Sequence, residues 1–141
     1  MRNDVRLVLD TVGFVRAVLY PEGPWGSILF EHSFQYQLLS SNELDDEIRE
    51  VLDRPFLRKK IGTLYDLRTS QVLAVLEHAE HIWLVEIPSV SRDKDDDHVV
   101  ATAVFGEADF IATEDKDLLD MIEYEGIRIV NGVELLAVLR E

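Results

Sequence analysis

Apolar residues along the chain fall into two patterns: short continuous blocks, and longer stretches where they recur every three or four positions. The block at 5–9, Val-Arg-Leu-Val-Leu, is apolar except for Arg6 and reads as a buried parallel strand. Further strand-like blocks lie at 37–40, 82–87, 110–112 and 127–130. Between them the spacing predicts helices over 12–19, 25–34, 41–52, 56–61, 63–79, 99–105, 116–124 and 133–139. Leu44, Ile48, Val51 and Leu52 form the inward stripe of one helix, and Leu64, Leu67, Val72, Val75 and Leu76 that of another. Pro21-Glu22-Gly23-Pro24, Pro55, Gly62, Pro88 and Gly126 punctuate the pattern, and Ser40 and Glu43 have capping-box spacing. Strands alternating with helices predict an α/β fold with a mainly parallel sheet and helices on both faces. No internal repeat or linker interrupts it, so one domain over 1–141 is expected.

Composition narrows the chemistry. At 141 residues and 47% hydrophobic, the chain can bury a proper core. It has no cysteine, which excludes disulfides, zinc–thiolate sites and a thiol nucleophile. No stretch is apolar enough to span a membrane, and the early charges Arg2, Asp4 and Arg6 do not read as a signal peptide, so a cytoplasmic location is expected. The net charge of −14 speaks against general nucleic-acid affinity, which comes largely from lysine and arginine on phosphates. Much of that acid is local, however, at 45–47, 93–97 and 114–120, while bases gather at Arg54, Arg58, Lys59 and Lys60.

The acids fall where an α/β sheet gathers its chemistry. Asp10 follows the first strand, and Asp115 follows Asp109-Phe-Ile-Ala-Thr113. Ser91-Arg-Asp-Lys-Asp-Asp-Asp97-His98 opens the apolar helix that begins at Val99. The C-terminal ends of parallel strands share one edge, so these carboxylates should converge there. Converging carboxylates repel unless a cation lies between them, and oxygen ligands suit Mg²⁺ or Mn²⁺. Each position also has a plainer reading. Asp10 and Asp115 suit helix N-caps, with Thr113 a competing cap, and the 93–97 run suits a helix dipole. Glu47, four residues beyond Glu43 on one helical face, suits a solvated surface. The combination of three strand-end acids and a helix glutamate is what points to a metal site that could activate water and stabilise attack on a phosphodiester.

These segments resemble a PIN domain, and in particular the toxin components of bacterial toxin–antitoxin pairs, the VapC-like group. The resemblance is carried by Val-Leu-Asp10-Thr, by Glu47 in Glu-Ile-Arg-Glu-Val-Leu, by Arg92-Asp-Lys-Asp-Asp-Asp97-His-Val-Val-Ala-Thr-Ala, and by Ala108-Asp-Phe-Ile-Ala-Thr113-Glu-Asp115-Lys-Asp-Leu-Leu. It implies a three-layer α/β/α fold and Mg²⁺- or Mn²⁺-dependent cleavage of RNA. It assigns the catalytic acids to Asp10, Glu47, Asp97 and Asp115, with metal on Asp10, Asp97 and Asp115. Thr113 would be a supporting hydroxyl and Asp117 would assist Asp115, while Asp96 is a register alternative to Asp97. Arg54, Arg58, Lys59 and Lys60 are candidate phosphate contacts, or else solvated surface or a contact for an acidic partner. Frequent homodimers and inhibition by a small antitoxin protein are further implications.

One position departs from the family pattern. Asp-Thr-Asn is usual after the first strand, whereas this chain has Asp10-Thr11-Val12, and valine can neither donate nor accept a hydrogen bond. A rival reading is therefore a PIN-like module that binds RNA or protein without cleaving. A phospho-acceptor receiver domain would carry an acidic pair after the first strand, and a dinucleotide-binding domain a Gly-x-Gly-x-x-Gly there; neither is present. Trp25, Phe30 and Phe34 share a helical spacing, which suits core packing more than a partner groove.

Overall fold

The computed structural model describes residues 5–85 and 94–141, and the side chains of all of these except 94–96. Six strands form one sheet: β1 (Val5–Leu9), β2 (Tyr36–Ser40), β3 (Glu80–His81), β4 (Phe110–Ala112), β5 (Glu123–Tyr124) and β6 (Ile127–Val130). Their order is β3-β2-β1-β4-β6-β5, and all neighbours run parallel except the β5–β6 pair. The central strands are buried on both faces: Leu7, Val8, Leu9, Leu38, Leu39, Ile111 and Ala112 all lie in the core. That double burial is why their sequences are continuous apolar blocks rather than alternating ones.

Helices flank this sheet in three layers. They are α1 (Thr11–Leu19), α2 (Pro24–Gly26), α3 (Asn42–Leu52), α4 (Pro55–Ile61), α5 (Tyr65–Glu77), α6 (Lys94–Phe105), α7 (Lys116–Leu119) and α8 (Gly132–Leu139). α1 packs against α3 and α5, and α2 against α8, while α6 lies across β1, β2 and β4. α3 touches both α1 and α6. The helix that carries Glu47 thus meets both the one that follows Asp10 and the one that carries Asp97. Parallel pairing brings the ends of β1 and β4 together, with Leu9 opposite Ala112 and the Asp10 N–H donating to the Ala112 carbonyl at 3.0 Å.

Several boundaries differ from the sequence reading. The third strand is Glu80–His81 rather than 82–87. The Ile82 amide still donates to the Ser40 carbonyl at 2.7 Å, but residues 82–85 lie outside the strand and 86–87 outside the described residues. Trp83 and Val85 point to solvent, so apolarity there did not signal burial. The helix expected at 116–124 ends at Leu119, and β5 folds back as a hairpin on β6. Ile122, Glu125 and Gly126 all have positive φ, which stops the helix and turns the chain. The stretch at 25–34 is α2, then a π-helical turn Ser27–Glu31, then a 3₁₀ turn Ser33–Gln35. That broken path buries Trp25 and leaves Phe34 exposed, so the three aromatics share no face.

One inward set is also narrower than expected. Leu64 and Leu67 are exposed, and α5 turns Val72 and Leu76 to the core, with Val75 only partly covered. The cap of α3 is Ser41, whose hydroxyl accepts from the Leu44 amide at 3.3 Å; Ser40 is the last residue of β2. A capping box is present instead between Asn131 and Glu134 at the start of α8. Finally, α6 begins at Lys94, so part of the acidic run belongs to the helix it was expected to precede.

Candidate functional site

The site grows out of the ends of β1 and β4. Asp10 is 7% exposed, and its Oδ2 accepts a hydrogen bond from the Thr113 hydroxyl at 2.7 Å. Thr113 is fully buried, and its oxygen in turn accepts from the Asp115 amide at 3.0 Å. One hydroxyl thus joins the acid after β1 to the turn after β4. A buried carboxylate is tolerated only where donors replace the water it has lost, and Thr113 is such a donor.

Glu47 joins through the neighbouring hydroxyl. Thr11, the first residue of α1, donates from Oγ1 to Glu47 Oε2 at 2.7 Å. Glu47 is half-buried on α3, while Leu44, Ile48 and Leu52 on the same helix enter the core and fix its rotation. Asp97 lies near the start of α6 and is 5% exposed. Its helix is tied to the α3 cap by Thr102, whose hydroxyl lies 2.8 Å from that of Ser41 and donates to the His98 carbonyl at 2.8 Å.

Asp115 is half-buried and is the N-cap of α7, its Oδ1 accepting from the Asp117 amide at 2.8 Å. The plain capping reading is therefore correct as far as it goes. A cap uses one lone pair, and the rest of the carboxylate remains available for ligation. Asp117 is exposed, and the Asp96 side chain lies outside the described ones. Val12, where the family usually has asparagine, is 42% exposed on the first turn of α1.

The basic cluster is exposed and partly neutralised. Arg54 is paired with Glu50 at 3.0 Å, and Arg58 with Asp53. Hydrogen bonding to Asp53 pushes the Arg58 pKa up, so it stays charged, and its guanidinium lies 4.6 Å from the Tyr65 ring centroid. Lys59 and Lys60, on the last turn of α4, are exposed.

Could these residues hold a divalent ion? Among the described residues, no three histidine, aspartate or glutamate side chains are grouped as a bound ion would require. The donor set nonetheless fits a hard cation: carboxylate oxygens, two of them on aspartates almost wholly withdrawn from water, with hydroxyls beside them. One residue of this network escaped the sequence reading: Thr11, which could have been found as a hydroxyl directly after Asp10.

The sequence profile of the PIN domain matches residues 6–117, and the chain belongs to the PIN domain family, whose members are generally nucleases. No curated protein matches it by sequence. Among solved structures it is similar to PAE2754 from Pyrobaculum aerophilum, at 14% identity and a TM-score of 0.61, covering 99% of this chain and 94% of that one. It is also similar to VapBC2 from Rickettsia felis, determined bound to a DNA fragment from their promoter. There the identity is 12% and the TM-score 0.56, over 90% of this chain and 98% of that one. At such identities the likeness speaks for the fold. No helix among the described residues is long and apolar enough to cross a membrane.

Proposed function

We propose that the chain is a divalent-metal-dependent ribonuclease of the toxin type, hydrolysing RNA phosphodiesters at its cluster of carboxylates. The observation that carries this reading is the pair of threonine bridges, Thr113 to Asp10 and Thr11 to Glu47. They draw acids from β1, α3 and the β4 turn to one edge of the sheet. In this reading Asp10, Asp97 and Asp115 hold Mg²⁺ or Mn²⁺, and Glu47 orients the attacking water. The metal, when bound, supplies a water of lowered pKa and a positive centre for the phosphate. The chain's own part is to orient the carboxylates, with Thr113 donating to Asp10 and Thr11 to Glu47.

Lys59 and Lys60 are the cations of the basic cluster best able to meet phosphate, because Arg54 and Arg58 must first leave their ion pairs. An antitoxin protein as partner is supported by the likeness to VapBC2, and a homodimer is a further proposal from the family alone. RNA cleavage is tested with Mn²⁺ or Mg²⁺ present and withheld, beside Asp10→Asn and Asp97→Asn. Metal-dependent cleavage that falls at least about a hundredfold in both variants supports the reading. Cleavage indifferent to either aspartate would sink it.

Val12 favours a second reading, a PIN domain that binds RNA or protein without cleaving, because it removes a polar group from the first turn of α1. That reading expects RNA or protein binding that survives Asp97→Asn unchanged.

A further inference from the structure

Directly after Thr113, the chain makes a second anchoring contact in a different direction. Glu114 Oε2 accepts from the Trp25 indole N–H at 2.9 Å and from the Gly132 amide at 3.0 Å. Trp25 is 3% exposed and comes from α2, while Gly132 is the first residue of α8. The indole fits between two glycines. A β-carbon on Gly13 of α1 would lie 2.5 Å from Trp25 Cζ3, and one on Gly132 would lie 2.8 Å from Trp25 Nε1. Only glycine leaves room for the ring at both places. The ring is therefore wedged against the helix that follows Asp10, and its only N–H is directed at the turn that carries Asp115.

We propose that Glu114 is a positioning residue whose carboxylate, held by Trp25 and the Gly132 amide, fixes the β4–α7 turn so that Thr113 and Asp115 are presented to Asp10. The proposal rests on the metal-site reading above. Consecutive residues pull the turn two ways: Thr113 bonds to Asp10, and Glu114 bonds to α2 and α8. With both anchors in place, the backbone between β4 and α7 has little freedom, and the Asp115 amide stays on the Thr113 hydroxyl. With Glu114 removed, the turn loses its anchor to α2 and α8 and keeps the one to Asp10. Trp25 and Gly132 then lose their shared acceptor. Loss of such outer support typically weakens metal binding by about ten- to a hundredfold while leaving the ligands themselves in place.

The test compares wild type with Glu114→Ala, Glu114→Gln and Trp25→Phe. Three quantities are measured on each: Mn²⁺ affinity by calorimetry, hydrogen exchange of the Asp115 amide by NMR, and thermal midpoint. Glu114→Ala should bind Mn²⁺ about tenfold or more weakly and exchange the Asp115 amide faster. Glu114→Gln keeps a carbonyl acceptor and should stay near wild type. Trp25→Phe keeps most of the ring but not the N–H, and should move both readouts in the direction of Glu114→Ala; it also carries the test should Glu114→Ala fail to fold. A lowered midpoint with wild-type Mn²⁺ affinity and wild-type exchange at Asp115 would overturn the proposal, leaving Glu114 a structural residue only. Wild type that binds no Mn²⁺ would overturn the nuclease reading and the metal part of this proposal with it. In that case faster exchange at Asp115 would still establish Glu114 as the anchor of the turn, and unchanged exchange would refute that as well.

Discussion

Thr113 serves two acids at once, which makes it the most exacting single position in the site. Replacing it with valine preserves the shape but removes one donor from the buried Asp10 Oδ2 and the hydroxyl acceptor from the part-buried Asp115 amide. Thr113→Val should therefore cost about 1–3 kcal/mol of stability, measured by urea unfolding, and reduce cleavage by more than that loss explains. Val12 is the opposite case. It is partly exposed and touches no polar network in the described bonds, so Val12→Asn should change stability by no more than about 0.5 kcal/mol. If the absent amide limits the enzyme, cleavage should rise by about tenfold, and an unchanged rate would mean Thr11 already supplies that support. At this scale the sequence showed which residue types fall at the strand ends but not which partners they bond. Asp10, Thr113 and Asp115 stood out as strand-end residues. The bonds from Thr11 to Glu47 and from Glu114 to Trp25 span 36 and 89 positions, and no local pattern encodes such a separation.

Elements were legible where burial and periodicity agreed. Strands β1, β2 and β4 are largely apolar because both faces are mostly covered, β6 is apolar except for the exposed Arg128, and α3 has the regular stripe of a helix half in the core. The reading failed where apolar residues face solvent, as at Trp83 and Val85, or where positive-φ residues break a helical rhythm, as at Ile122 and Glu125. The short strand β3 is located by a charge pair instead. Arg6 of β1 reaches across the intervening β2 to hold both oxygens of Glu80, at 2.9 and 2.8 Å, while also donating to the Gly106 carbonyl. This hydrogen bonding, opposed by some desolvation, keeps the Glu80 carboxyl below its ordinary value of 4.5. A folded-state pKa lowered in this way contributes stability that is full above about pH 4.5 and lost as pH falls through the lower folded value. Because the Glu80 side chain is 45% exposed, solvent screening limits the contribution to a few tenths up to about 1 kcal/mol. Urea unfolding between pH 3 and 6 should accordingly show a shallower acid decline in Glu80→Gln than in wild type, with the two curves parallel at neutral pH. Curves parallel throughout would mean the pair contributes nothing to holding β3.

At the scale of the whole molecule, the charge of −14 sets the terms on which the site can work. A compact chain so negative repels itself, and any salt relieves some of that repulsion by screening. Screening and site binding therefore both raise stability, but they scale differently. Screening depends on ionic strength, whereas binding follows the ratio of free metal to its dissociation constant and reaches about 2.7 kcal/mol at a hundredfold excess. For a chain of this length, that corresponds to a rise in thermal midpoint of about 10 °C. Mn²⁺ at millimolar concentration in 150 mM NaCl adds almost nothing to the ionic strength, so a rise under those conditions comes from binding. The rise should shrink to near zero in Asp97→Asn, which removes one buried acid from the head of α6 and only one unit of the total charge. Equal rises in wild type and variant would place the ions on the diffuse acidic surface instead. The carboxylate edge would then be a charged rim without a metal, and the family's usual chemistry would be absent from this chain.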